Sequence, residues 1–369
     1  MSNAVDVVVV GAGAMGSTAA WQLAKAGRSV VLLEQFGRLH DRGSSHGQTR
    51  VFRVSYRDPL YTALAVDSIP RWKELEADSG QVLLEQSGQL DHGFAPAIDE
   101  IAASLEGAGF DYDRLDPQAA AERWPSLVFD TTVVYSPDGG RVFADRMVDA
   151  AITTAERFGA DVRFDTPVRR IEPDGEGVAV VTDTETIRAR SVIVSAGAWL
   201  TRLVGPGTPW PDITLPEVTV TRQQPVHFAI RPGMSFPSYI HHIADDAPGA
   251  ALRFGAYGLE SPGEGVKLGL ETEVMCPDPD EVGIVDPEIT AEAIRYAEQW
   301  LPGADTSEVS AVTCLFTNTP DSHFIIDRIG PVVVVSPCSG HGFKFAPEIG
   351  AIAADLAMGG ERRHPEWRL

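Results

Sequence analysis

The stretch from Val5 to Gly16, VDVVVVGAGAMG, constrains the chain more than any other. Val5 to Val10 form a short run, almost wholly apolar and β-branched, which suits a central parallel strand buried on both faces. Glycines follow at once, and from Ala14 to Ala26 the apolar residues Met15, Ala19, Leu23 and Ala26 recur at helical spacing until Gly27 stops the helix. Residues 29–33 read as a second strand, so the whole is a βαβ unit of about thirty residues.

Each glycine of that turn has a mechanical task. Gly11 permits the tight bend, Gly13 lets the backbone approach a pyrophosphate, and Gly16 lets helix and strand pack closely. Ala14 and Met15 open the helix, whose free N–H groups face the phosphates. Glu34, at the end of the second strand, is placed to accept hydrogen bonds from ribose hydroxyls. An acidic residue there argues against a 2′-phosphate and hence against NADP, while FAD and NAD both remain open. Residues 191–199, SVIVSAGAW, favour flavin: an apolar strand runs into the small-residue turn at Ala196, Gly197 and Trp199, which suits close approach to a bound cofactor. An ordinary strand end is the competing reading.

Beyond this unit, residues 60–77 and 96–107 look helical, and 81–94 and 131–135 look like strands. A helix at 145–158 precedes strands near 161–164, 168–171, 178–182 and 192–195. Residues 218–270 are strand-rich with Gly/Pro turns, suggesting an antiparallel sheet. A helix at 290–301 follows, and strand, glycine loop and helix over 332–357 end the pattern. At roughly 100 to 200 residues per domain, 369 residues predict two. The alternation makes the fold class α/β with an α+β substrate lobe, in which a Rossmann-like domain (1–80, 143–215 and 309–369) interleaves with an antiparallel-sheet substrate domain (81–142 and 216–308).

A formal charge of −22 would be repelled by phosphate backbones and anionic headgroups, so neither nucleic acid nor a membrane surface is an expected partner. Cys276, Cys314 and Cys338 lie far apart without CxxC spacing, which indicates neither a metal site nor a disulfide framework. No basic leader region and no apolar run near the roughly 20 residues of a membrane span is present. A soluble cytoplasmic protein is the expectation.

Four blocks carry a resemblance: GSSHGQTRVFR (43–53), GVKLG (265–269), CLFTNTPDSHFIID (314–327) and SGHGFKFAPEIG (339–350). In order and spacing they resemble the monomeric sarcosine oxidase family of FAD-dependent amine oxidases, which includes N-methyltryptophan, pipecolate and fructosyl amino acid oxidases. The resemblance implies that FAD is bonded covalently through Cys314. On its own that residue would read as a buried structural thiol, as Cys276 and Cys338 do. It further implies that Arg53 and Lys344 clamp the substrate carboxylate, that His46 and Arg50 line the flavin as catalytic groups, and that Lys267 promotes the reaction of reduced flavin with oxygen. A guanidinium fork suits a carboxylate, and a cation at the ring would stabilise developing superoxide charge. By itself Lys267 could equally face solvent on an alternating strand. Ser44, Ser45, Thr49, Val168, Gly340, His341, Gly342 and Phe343 complete the implied cofactor surface.

Two positions depart from the sarcosine pattern: Glu271 replaces a His and Phe316 replaces a Tyr, both on the substrate side. They place sarcosine itself in doubt. The implied activity is oxidation of a secondary-amine α-amino acid by hydride transfer to flavin, giving an imine, with O2 reduced to hydrogen peroxide by a monomeric enzyme. A fructosyl amino acid oxidase, whose sugar hydroxyls Glu271 could bind, a flavin dehydrogenase and a non-catalytic dinucleotide-binding protein are the alternatives.

Overall fold

The computed structural model describes residues 4–243, 255–272, 274–281, 283–362 and 364–369. The strand Val5–Val10 (β1) lies inside an eight-stranded sheet, parallel to Val30–Leu33 (β2) on one side and to Thr186–Val194 on the other. Asp161–Arg163 extends the parallel array beyond β2, and Val332–Ser336 pairs with the end of Thr186–Val194. Antiparallel strands complete the sheet at Val168–Asp174, Gly177–Thr182 and Ile325–Ile329.

The continuous apolar run of β1 follows from burial on both faces. Val7 and Val9 pack under the helix Ala14–Lys25 (α1), with Ala20 and Trp21, whereas Val8 and Val10 pack against Val178, Val180 and Leu200. Flanking α1 are the helices Ala144–Arg157 and Ala346–Ala357. Thr18 at the α1 surface donates its hydroxyl to the Ala346 carbonyl at 2.9 Å, joining the two ends of the sequence.

A second eight-stranded sheet has the order Ala304–Ala311, Val226–Ile230, Gly265–Leu270, Ala256–Ser261, Ser238–His242, Gln89–Gly93, Val133–Ser136 and Asp113–Leu115. Its neighbours are antiparallel except Ser238–His242 and Gln89–Gly93. One face packs Phe228, Tyr239, Val266 and Leu268 against Ala293 and Ala297 of the helix Pro287–Trp300. The other face presents Lys267 beside His227 and Leu259, and Tyr257 beside Ile240. Two three-stranded sheets carry further site residues: Thr49–Phe52 with Gly140–Phe143 and Leu84–Glu85, and Thr219–Gln223 with Cys314–Asn318 and Val274–Met275.

The structure corrects several expected elements. The run expected as one strand over 81–94 breaks into Leu84–Glu85 and Gln89–Gly93, which join different sheets. The break is at Gly88, whose φ of 88° is glycine's territory and whose missing Cβ leaves room for Tyr135. The helix expected at 290–301 starts earlier, at Pro287, because Asp286 caps it by accepting the Glu288 N–H. Thr49–Phe52, Gly140–Phe143 and the helix Pro117–Arg123 were not expected; all are short, and periodicity has little to register in four to seven residues. Residues 244–254 of the strand-rich region lie outside the described residues. No helix among the described residues is long and apolar enough to cross a membrane.

Candidate active site

One elongated cavity, with about 1940 Å³ of empty space including its open mouth, runs from the glycine turn after β1 to Lys344. At the first end Gly11 adopts φ 96° and a Cβ there would meet the Ser195 carbonyl oxygen at 2.6 Å, so the 191–199 turn lies directly on the glycine turn. The opening N–H of α1, on Ala14, donates to Ser45 Oγ at 3.0 Å, and Gly13 caps the helix without a side chain. The buried Glu34 carboxylate accepts the N–H of Ala12 at 2.7 Å and of Phe36 at 3.0 Å. Those two bonds fix it and leave acceptor sites for ribose hydroxyls.

Gly16 lies outside the cavity wall, and its role is packing: a Cβ there would stand 1.8 Å from the Gly11 carbonyl oxygen. Gly16→Ala is therefore expected to force α1 off β1, at about 1–3 kcal/mol of stability, and to yield protein purified without flavin absorbance at 450 nm. A yellow variant of unchanged stability would refute that role.

In the middle of the cavity Arg50 ties the loop 43–49 together. It donates to the carbonyls of Thr49 and Ser44, both at 2.9 Å, and of His46 at 2.6 Å, and its guanidinium stands 5.5 Å from the Phe343 ring centre. Burial, then the charge of Arg50, drives His46 down to about 4, so its ring is neutral, and its buried Nε2 has no hydrogen-bond partner among the described residues. Lys267 is 4% exposed and donates to the Thr49 carbonyl at 3.0 Å, which removes the solvent-facing alternative. Burial first, and Arg50 second, push its ammonium down to about 7 against the opposing pull of Glu264, Cys314 and Asp145. Cys314 is buried, and burial pushes its thiol up. Cys338, expected in the core, is half-buried on the cavity wall and accepts the Thr317 N–H through Sγ at 3.3 Å. The chain turns sharply just after it, with Ser339 and Gly340 at φ 39° and 75°.

Two buried cations close the far end. Arg53 stacks its guanidinium 3.9 Å from the Tyr56 ring centre, and Lys344 donates to Tyr56 Oη at 3.0 Å and to the His341 carbonyl at 2.6 Å. Burial, reinforced by Arg53, pushes Lys344 well below the usual lysine range. Trp72 holds the Lys344 carbonyl at 2.7 Å. The adjoining turn is built for close approach: a Cβ on Gly340 would meet Phe316 at 2.8 Å, and one on Gly342 the Pro337 carbonyl oxygen at 1.4 Å. Val51, Ile240, Tyr257 and Phe316 form the rest of this wall.

The expected residues Gly11, Gly13, Ala14, Met15, Glu34, Ser44, Ser45, Arg50, Arg53, Val168, Ala196, Gly197, Trp199, Phe316 and residues 340–344 all line the cavity. His46, Thr49, Lys267 and Cys314 lie just behind it, linked to the wall through Arg50 and Leu315. Glu271 stands half-buried at a strand end, its N–H donating to the Gly255 carbonyl at 3.3 Å, outside the lining. Tyr56 and Trp72 behind Lys344, and Tyr257 and Ile240 on the wall, were missed by sequence reasoning. Only the alternation in the strands at 238–242 and 256–261, which puts Ile240 and Tyr257 on the Lys267 face, could have pointed to two of them. Asp58, His323 and Glu366 bring ligand-type atoms within 4.8 Å of one another, away from the cavity.

These residues fit an FAD: a glycine turn and helix N-terminus for the pyrophosphate, a fixed carboxylate for ribose, and cations beside a small-residue turn that can face a flat ring. The sequence profile described as FAD dependent oxidoreductase matches residues 6–356. The chain is 35% identical to a monomeric sarcosine oxidase of Streptomyces avermitilis, covering 99% of this chain and 96% of the relative. It is 33% identical to a probable sarcosine oxidase of Arabidopsis thaliana, covering 96% and 88%. The fold superposes with TM-score 0.85 on a variant of NikD, described as an unusual amino acid oxidase essential for nikkomycin biosynthesis, at 25% identity over 99% of this chain and 96% of that one. A dinucleotide turn continuous with a buried cationic pocket, and likeness along the whole sequence, lead to one assignment: the chain belongs to the FAD-dependent oxidoreductases and, among them, to the sarcosine oxidase group of amine oxidoreductases.

Proposed function

We propose that this protein is an oxidase of α-amino acids bearing a secondary amine, producing an imine and hydrogen peroxide, with the FAD tethered through Cys314. The observation that carries the reading is the pair of buried cations, Arg53 and Lys344, at the end of the cavity opposite the dinucleotide turn. A substrate carboxylate bound there by the guanidinium fork and the ammonium fixes one end of the molecule. The same two charges disfavour a protonated amine nearby, so the amine is held neutral with its lone pair available to the developing imine. A bound FAD would supply the two-electron redox chemistry between the substrate C–H bond and oxygen. Lys267 places a cation where oxygen is reduced, and the walls at Ile240, Tyr257 and Phe316 keep water from the reacting carbon. Water then hydrolyses the released imine. The sugar-bearing alternative drew on Glu271, which stands outside the cavity lining. Three cysteines that do not pair with one another suit a reducing, cytoplasmic setting, and the likeness to monomeric sarcosine oxidases supports a monomer.

A peroxide-release screen over sarcosine, other N-methyl amino acids, proline, pipecolate and fructosyl valine tests the activity; dye reduction without peroxide would assign a dehydrogenase instead. For the tether, acid precipitation is expected to leave the yellow colour in the pellet, and Cys314→Ser to release it. Colour in the supernatant of the unaltered protein would refute the bond.

A further inference from the structure

Lys267 belongs to a polar chain that the reaction as described leaves unused. Across the sheet its neighbour is His227, whose Nε2 lies 3.4 Å from Glu264 Oε2. Glu264 sits in the turn just before the Lys267 strand and accepts the Ser261 hydroxyl at 2.7 Å. Ser261 Oγ in turn accepts from Thr49 Oγ1 at 3.0 Å, and the carbonyl of that same Thr49 accepts from Lys267 Nζ at 3.0 Å. Thr49, Ser261, His227 and Lys267 are all buried, whereas the Glu264 side chain is 35% exposed. The carboxylate is thus partly in water while its Oε2 is held by the buried Ser261 hydroxyl.

The remaining charged and titratable groups around Lys267 do not supply what Glu264 supplies. Arg50, on the strand Thr49–Phe52, repels the ammonium, and His46 beside it is neutral. Cys314 carries no charge either way: burial pushes its thiol up, and once bonded to the flavin it is a thioether. Asp145, on the helix Ala144–Arg157, is itself pushed up by burial and spends Oδ1 on the Gly47 N–H at 2.8 Å. His227 is driven down to about 4 by burial and by Lys267, so near neutral pH it does not cancel the charge of Glu264. Glu264 is the strongest of the groups that favour the charged lysine.

We propose that Glu264, seated by Ser261, is the counter-ion that keeps Lys267 a cation, and so a positioning residue for the oxygen-reacting step. This rests on the role proposed above for Lys267. Oxygen reduction needs the ammonium, so its rate falls as pH rises through the titration of Lys267, and loss of the counter-ion moves that fall to lower pH.

The test is stopped-flow reoxidation of substrate-reduced holoenzyme across pH. Glu264→Gln is expected to lower the midpoint by about one pH unit, which is about a tenfold slower reoxidation on the alkaline side, with reduction by substrate unchanged and Glu264→Asp restoring most of the shift. Lys267→Gln, run alongside, separates the two readings. If it slows reoxidation and flattens the profile while Glu264→Gln leaves the midpoint in place, the counter-ion role alone is overturned. If Lys267→Gln changes neither, the lysine role is overturned and this one with it. Equal slowing of both half-reactions in Glu264→Gln without a midpoint shift would mark a structural residue and also overturn the proposal.

Discussion

Lys267→Met is expected to slow reoxidation of the reduced enzyme by oxygen on the order of 100- to 1000-fold, the range seen when a preorganised electrostatic partner of a developing anion is removed, while reduction by substrate stays close to its original rate. Lys267 is buried and anchored to the Thr49 carbonyl, so its charge acts in a low-dielectric setting and needs no reorganisation. Met keeps the apolar stem and removes only the ammonium. Rapid-mixing absorbance of the two half-reactions checks the result, and equal slowing of both would remove the lysine from the oxygen step. Because burial and Arg50 bring this group down to about 7, the original enzyme should react with oxygen faster below that pH than above it, and the Met variant should show no such dependence.

Arg53→Ala should lower kcat/KM for a carboxylate-bearing amine on the order of 100-fold, since a hydrogen-bonded charge pair contributes about 1.5–3 kcal/mol and the partner carboxylate is left half-paired. The loss should fall mainly on KM. Arg53 also repels the Lys344 ammonium, so its removal eases that repulsion and limits the damage. Arg53→Lys keeps a charge but loses the fork, and an intermediate loss is expected. Steady-state kinetics with the carboxylate substrate and its methyl ester decide the matter: if both substrates lose equally, Arg53 is not a carboxylate ligand.

The parts of the molecule that announce themselves in sequence are those where one residue type alone will do. Gly11 and Gly16 are fixed by backbone contacts that leave no room for a Cβ, and β1 is apolar throughout because both faces are covered. Arg53, Lys267 and Lys344 are conspicuous in a chain of net charge −22 once their neighbours are seen to be apolar or glycine. What stayed hidden depends on three-dimensional neighbours. Tyr56 could be any core aromatic until Arg53 stacks on it and Lys344 donates to it. Cys338 could be any small apolar residue until its loop turns it to the cavity. Glu264 resembles every other charge in a surface turn, and only the pairing of the Val226–Ile230 strand with that of Lys267 brings His227 to it. Short strands such as Thr49–Phe52 are created by partners some ninety residues away, at Gly140–Phe143, which no local pattern encodes.

The bond from Thr18 to Ala346 has a bearing on synthesis. The glycine turn is made long before its setting: its sheet waits for Thr186–Val194, and its first helix waits for Ala346–Ala357, which a Cβ-free Gly350 lets approach Thr18 closely. Until that helix has been made the cradle for the dinucleotide lacks a wall, and such distant pairings are slow to close. Cofactor capture therefore waits for the helix Ala346–Ala357, and deleting that helix would cost the protein its flavin without touching any residue of the nucleotide motif.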